Sequence, residues 1–294
     1  MSIVPTQQYA PFVLRRSAPH WQSAQPTTTN RDCPSEGCKI PVDIILGSSD
    51  GKTFGAHTKN LEVFTEGFPP ADLANRSDQP ELEVVELPET SAILELFLKY
   101  THNQRQPDLG KYPFAVVSGL AEAAEKYFAY SAMEVCRLQM RAQAQAHPME
   151  VLMYASKHNY PDIRDAVAPF TLGLPLAKMR KELAPNLFIA WVQYREHYLH
   201  AIQTVLSSPP SPMAQHKGGF WTCEGWLAFH SALLAKLGGG TFTLNDVRAF
   251  PTLVEQLIPP HLKDCTPCAR RAQSWAVSAS RTLSAAVPSF ESCM

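Results

Sequence analysis

The run Ser207-Ser208-Pro209-Pro210-Ser211-Pro212 constrains this chain more than any other stretch. Three prolines within four positions remove backbone donors and crowd the preceding turn, so no helix continues through them. The run predicts a Pro-rich linker over 207–219 that separates a larger N-terminal part from a C-terminal region over 220–294. Proline is enriched throughout, at 25 of 294 residues, above the usual ~5%. Only 14 residues are glycine, too few for every third position, so a collagen-like chain is excluded.

Periodicity divides the remainder. Residues 1–40 carry scattered prolines, Gln7-Gln8 and Thr27-Thr28-Thr29 without an apolar period, the composition of a flexible tail. Val42, Ile44, Ile45 and Leu46 then form a short apolar run ended by Gly47-Ser48-Ser49-Asp50-Gly51. Asp-Gly supplies the positive φ of a tight turn, so this reads as a strand and hairpin, with Thr53-Phe54-Gly55-Ala56 returning. Val84, Val85 and Leu87 predict a third strand, closed by Pro88.

Helices follow. Thr90 is the predicted N-cap of a segment with Ile93, Leu94, Phe97 and Leu98 on one stripe. Val117, Leu120, Ala121, Ala124, Tyr127 and Phe128 recur at helical steps, as do Val135, Leu138 and Ala142. Helical hairpins are expected from Pro148 to about Leu206. Beyond the linker, one stripe runs through Trp226, Phe229, Leu233, Leu234 and Leu237 to a stop at Gly238-Gly239-Gly240. Another runs through Trp275, Ala279, Leu283, Ala286 and Val287.

The charge balance narrows the function classes. With 26 Lys+Arg against 27 Asp+Glu the net charge is −1, which offers no bulk attraction to nucleic acid or acidic lipid. No segment approaches the ~18 uncharged apolar residues of a spanning helix. The first 30 residues lack the apolar run of a signal peptide. Seven cysteines, an odd number in a long chain, read as thiols of an intracellular protein of the cytoplasm or nucleus. Asn75-Arg76-Ser77 matches the glycosylation pattern and is read as chance. Nucleotide-binding, nucleophile-elbow and H-E-x-x-H motifs are absent, so no enzyme class is indicated.

Two stretches, in order, carry a family resemblance. Asp43-Ile44-Ile45-Leu46, Asp50-Gly51-Lys52-Thr53-Phe54 and Ala56-His57-Thr58-Lys59-Asn60-Leu61 come first. Ala123-Ala124-Glu125-Lys126-Tyr127, then Ala132, Val135-Cys136 and Leu138, follow some 70 residues on. The pair resembles a BTB/POZ domain, and residues 41–206 are similar to the BTB-domain proteins numerous in fungi. Thr58 separates His57 from Lys59, where the family usually has the basic residue adjacent.

The resemblance implies an α+β fold. A BTB/POZ domain would occupy 41–146, a helical extension 147–206 and a small helical part 220–294. Asp43, Gly51, Phe54, His57 and Tyr127 would be its fold signature. Asp43 would carry a buried or half-buried charge, and His57 would bond backbone groups where strand passes into helix. The implied function is a non-enzymatic protein–protein interaction adaptor or scaffold. It would self-associate as a homodimer or dock on a cullin as a ubiquitin-ligase substrate adaptor. A BTB-mediated transcriptional regulator is the competing reading.

Metal chemistry is confined to a few candidates. Cys265-Thr266-Pro267-Cys268 has the C-x-x-C spacing that lets two thiolates grip one tetrahedral ion. Cys223, 42 residues earlier (265 − 223), is the third candidate ligand of a structural zinc. His216 or His230 is the fourth; His230 lies seven residues after Cys223, about 10.5 Å along a continuous helix and too far unless Cys223 lies off its end, whereas His216 has more freedom. Free thiols remain the ordinary use of a single C-x-x-C. A zinc-dependent enzyme on Cys223, Cys265 and Cys268 is the reading from another class. His197 and His200 form a solvated pair on one helix, and Lys178-Met179-Arg180-Lys181 a short surface cluster. Cys33 and Cys38 fall in the tail, with nothing in the sequence to bring them to one site.

Overall fold

The computed structural model describes residues 32–68, 82, 84–216, 218–238, 249–286 and 288–294. The expected tail up to residue 31, Asn75-Arg76-Ser77, Gly239-Gly240 and Val287 lie outside them. The described residues are mostly helical with a small mixed sheet, the α+β class expected. The chain divides into two compact units, one up to Met140 and one from Arg141.

In the first unit, β1 (Ile44–Gly47) pairs antiparallel with β2 (Thr53–Ala56). Gly51 supplies the turn with φ +81°. β3 (Val84–Glu86) adds in parallel on the other side of β1, which makes the order β2-β1-β3. A parallel neighbour needs a crossover, and α1 (Thr58–Phe64) lies within it. Then come α2 (Ser91–Lys99), α3 (Phe114–Tyr127) and α4 (Tyr130–Ala142). The core gathers Leu46 and Phe54 of the sheet, Leu94 and Phe97 of α2, Leu120 and Ala124 of α3, and Cys136 of α4. Burial pushes the Cys136 thiol up to about 12.

The two aspartates that flank β1 both start helices. Asp43 accepts from the Thr58 N–H (2.8 Å) and hydroxyl (2.6 Å) at the first residue of α1. Asp50 accepts from the Ser91 N–H and hydroxyl, each at 2.7 Å, at the first residue of α2. Asp43 is exposed rather than half-buried, because these donors reach it at the rim of the sheet. Thr90 makes no side-chain cap bond, since Asp50, 41 residues before Ser91, takes the place. Bonds from Ser48 and then Ser91 hold the Asp50 carboxyl down at about 2. Its cap is therefore complete at neutral pH and is lost only as pH falls through that value. Asp50→Ala should cost about 1 kcal/mol. The difference in urea midpoint from the parent should hold from pH 7 into mild acid and close near pH 2.

In the first unit two helical stripes differ from expectation. Phe128 leaves the α3 stripe: it sits at φ +52° as a left-handed helix end, 38% exposed. On α4 the buried set is Ala132, Cys136 and Met140, and Leu138 is 66% exposed. The period was right and its phase was not, because α4 restarts after the break at Phe128.

Tyr127 ties three segments. Its carbonyl accepts from the N–H groups of Glu66 (3.2 Å) and Gly67 (2.9 Å). Its ring stacks on Phe68 with centroids 4.8 Å apart, and its hydroxyl donates to Glu89 Oε2 at 2.9 Å. A side chain on Gly67 would run into the Tyr127 backbone, so that close approach requires glycine. Burial, then the Glu89 charge, push the phenol well above its usual range.

The second unit is α5 (Pro148–Lys157), α6 (Pro161–Thr171), α7 (Leu176–Glu182) and α8 (Pro185–Ser207). After it come β4 (Met213–His216), β5 (Gly219–Thr222), α9 (Glu224–Gly238), α10 (Phe250–Leu262) and α11 (Thr266–Ala286). α8 ends at the proline run, as expected. The stretch read as linker, however, holds the first strand and turn of a β-hairpin that runs on to Thr222, with Gly218 (φ +104°) and Gly219 (φ +144°) at the turn. Most of its side chains are exposed, so it shows no apolar alternation to read. Arg164, 4% exposed, pairs with Glu291 through Nη2–Oε1 (2.7 Å) and Nε–Oε2 (2.9 Å), which pins the short 3-10 turn at Phe290–Cys293. None of the helices is long and apolar enough to cross a membrane, among the described residues.

Candidate metal centres

Among the described residues, two groups of Cys and His place their ligand atoms within 4.8 Å of one another. The first is His216, Cys223, Cys265 and Cys268. Each ligand comes from an element end. His216 closes β4, and Cys223 follows β5, its carbonyl accepting from Leu227 N–H as α9 begins. The Cys265 carbonyl accepts from Ala269 N–H at the start of α11, and Cys268 lies in that helix's first turn. The C-x-x-C pair thus sits on a helix start, and the hairpin brings the other two ligands to it.

The His216 ring is prepared for a ligand. Its Nδ1 lies 2.7 Å from the Ala214 carbonyl, which can only accept, so Nδ1 carries the proton. The Nε2 lone pair then faces Cys268 Sγ at 3.2 Å. Metal-bound imidazoles commonly have their second nitrogen fixed in this way. Trp221 stacks on the ring with centroids 4.7 Å apart. Between tetrahedral zinc ligands an S···N edge is about 3.6 Å, so the separation fits.

The thiols influence one another. Burial first, then Cys265 and Cys223, push the Cys268 thiol up to about 12. Burial also pushes Cys223 up, but donors headed by the Trp226 N–H outweigh it and leave its pKa lowered. Arg271 brings positive charge: Nη2 lies 3.7 Å from Cys268 Sγ and Nη1 donates to the Met213 carbonyl at 3.4 Å. Its guanidinium lies over the Trp226 ring, 3.9 Å from the centroid. Gly225 permits the close approach, since a Cβ there would meet the His261 carbonyl at 2.7 Å.

Of the sequence candidates, Cys223, Cys265 and Cys268 come together and His216 is the fourth. His230 does not join them; it is two helical turns along α9 and stacks beside Trp275 with centroids 6.2 Å apart. His197 and His200 are exposed on α8 and belong to neither group.

The second group is Cys33, Cys38, His57 and His102, which the sequence did not reveal. Cys38 Sγ lies 3.2 Å from His57 Nε2 and 3.5 Å from His102 Nε2, and Cys33 Sγ lies 3.3 Å from His102 Nε2. His57 does bond backbone as expected, its Nδ1 2.9 Å from the Pro41 carbonyl, but its other nitrogen turns to the thiols. The remaining signature residues stay structural: Asp43 caps α1, Gly51 turns the hairpin, and Phe54 and Tyr127 are buried in the first unit. Asp43 and His57 do not form an acid–base pair, since their polar atoms are engaged by Thr58, Pro41 and Cys38.

No protein-family model matches this chain, and no curated protein matches it.

Proposed function

We propose that this chain acts by binding other proteins, with an N-terminal BTB/POZ-like platform and a C-terminal region braced by a structural zinc on His216, Cys223, Cys265 and Cys268. The observation that carries the reading is the completion of the three-cysteine set by His216. Four protein ligands close a tetrahedral ion, whereas a catalytic zinc keeps a position open for water. That weighs against the zinc-enzyme reading. The BTB/POZ part is supported by the element order: a hairpin, α1, a third strand parallel to the first, then α2 to α4. Val63 on α1 and Tyr130 and Leu138 on α4 stay exposed, which leaves apolar side chains for a partner. Buried anchors of this kind dominate protein interfaces.

Affinity purification of the full chain from its native cells, read by mass spectrometry, tests the proposal. Repeated recovery of a cullin, or of a second tagged copy, supports the adaptor. Chromatin factors without a cullin would shift the reading to a transcriptional regulator. A chain that stays monomeric at high concentration and retains no protein would overturn both.

A further inference from the structure

We infer that the first unit holds a second structural zinc, bound by Cys33, Cys38, His57 and His102. This site is independent of the C-terminal one and of the BTB/POZ reading. Its ligands come from three places: the loop before β1, the turn between β2 and α1, and the segment just after α2.

Three observations converge. The S···N separations of 3.2, 3.3 and 3.5 Å lie close to the edges of a zinc tetrahedron, about 3.6 Å. Both imidazoles are held in one tautomer by a carbonyl. His57 Nδ1 lies 2.9 Å from the Pro41 oxygen and His102 Nδ1 2.9 Å from the Leu98 oxygen, so both Nε2 lone pairs point at the thiols. Both histidines are buried, at 2% and 7% exposed, with ring centroids 5.3 Å apart. A neutral Cys₂His₂ set of this shape matches zinc's preference for mixed N and S ligands.

The proton balance is simple. Zinc displaces one proton from each thiol to solvent and takes the two imidazoles as they stand, so a dication meets two thiolates and the site becomes neutral. No oxidant is needed. The ion would staple the Cys33–Cys38 loop to the sheet. Gln104 Nε2 to Ser35 Oγ (3.4 Å) also reaches that loop, and Gly55 N–H to the Asp32 carbonyl (3.1 Å) holds the residue before it.

Metal analysis of the purified full chain is the test. Two zinc ions per chain are expected. The Cys33→Ser/Cys38→Ser chain should keep one, as should Cys265→Ser/Cys268→Ser. A parent chain with a single zinc that disappears in Cys265→Ser/Cys268→Ser overturns this site and leaves the C-terminal one standing. A single zinc that persists in that variant supports this site and removes the other. Iron or copper in place of zinc would also overturn it. A second readout needs no variant: Lys39 is exposed beside the loop, so trypsin should cut there much faster once a chelator has removed the metal. An unchanged cleavage rate in a chain proven metal-free would count against the staple.

Discussion

Cys265→Ser/Cys268→Ser is expected to unfold the region from Met213 to Ala286 while leaving β1 to β3 and α2 to α4 in place. Structural zinc contributes an apparent ~10–16 kcal/mol in small zinc-bound peptides, comparable with the ~5–15 kcal/mol net stability of a whole domain. The hairpin β4–β5 has mostly exposed side chains and cannot stand on its own core. Loss of helical circular dichroism together with one zinc per chain is the expected result, and a strong chelator should produce the same change in the parent. Acid should act in the same direction, because three thiols must regain protons as the metal leaves. A double variant with the parent's spectrum and melting temperature would show that the thiols only pack.

Trp191→Ala should be the most damaging single change in the helical part. Trp191 is fully buried on α8, beside Phe188, and its Nε1–H donates to Thr171 Oγ1 on α6 at 2.8 Å. Truncating a buried tryptophan costs roughly 3–5 kcal/mol through lost contacts and the cavity left behind. Trp191→Phe keeps most of the volume and removes the indole donor, for which about 1 kcal/mol is expected. Thr171 would still donate to the Ala168 carbonyl at 2.6 Å. Urea unfolding of the three proteins checks the order. Equal losses in both variants would mean that the hydrogen bond, not the packing, dominates.

Much of the first unit was legible in the sequence. The apolar run before Asp50-Gly51 gave β1 and its turn, and Val84-Val85 gave β3, since short strands bounded by turn residues leave a local signal. The buried phase of α4 did not show, because it depends on how the helix restarts after Phe128. The hairpin at 213–222 was hidden by exposed side chains, although Gly218-Gly219 was a turn signal beside it. Three members of the C-terminal metal set could be read from cysteine spacing. Spacing already favoured His216 over His230, and the hairpin is what delivers His216 to the thiols. The N-terminal set could not be read, because Cys33 and His102 are 69 residues apart and its two histidines lie on different segments. A local ligand motif cannot encode a site that only the tertiary fold assembles.

The paired aspartates beside β1 have a consequence for how the sheet finds its alignment. Asp43 precedes the strand and Asp50 follows it, and each grips the opening residue of a different helix. Shifting β1 by one position would displace both carboxylates by about 3.3 Å, beyond reach of Thr58 and Ser91, and would exchange the faces on which Ile45 and Leu46 lie. A mis-threaded hairpin would therefore forfeit two helix starts at once, so helix docking itself checks the pairing before the first unit can close.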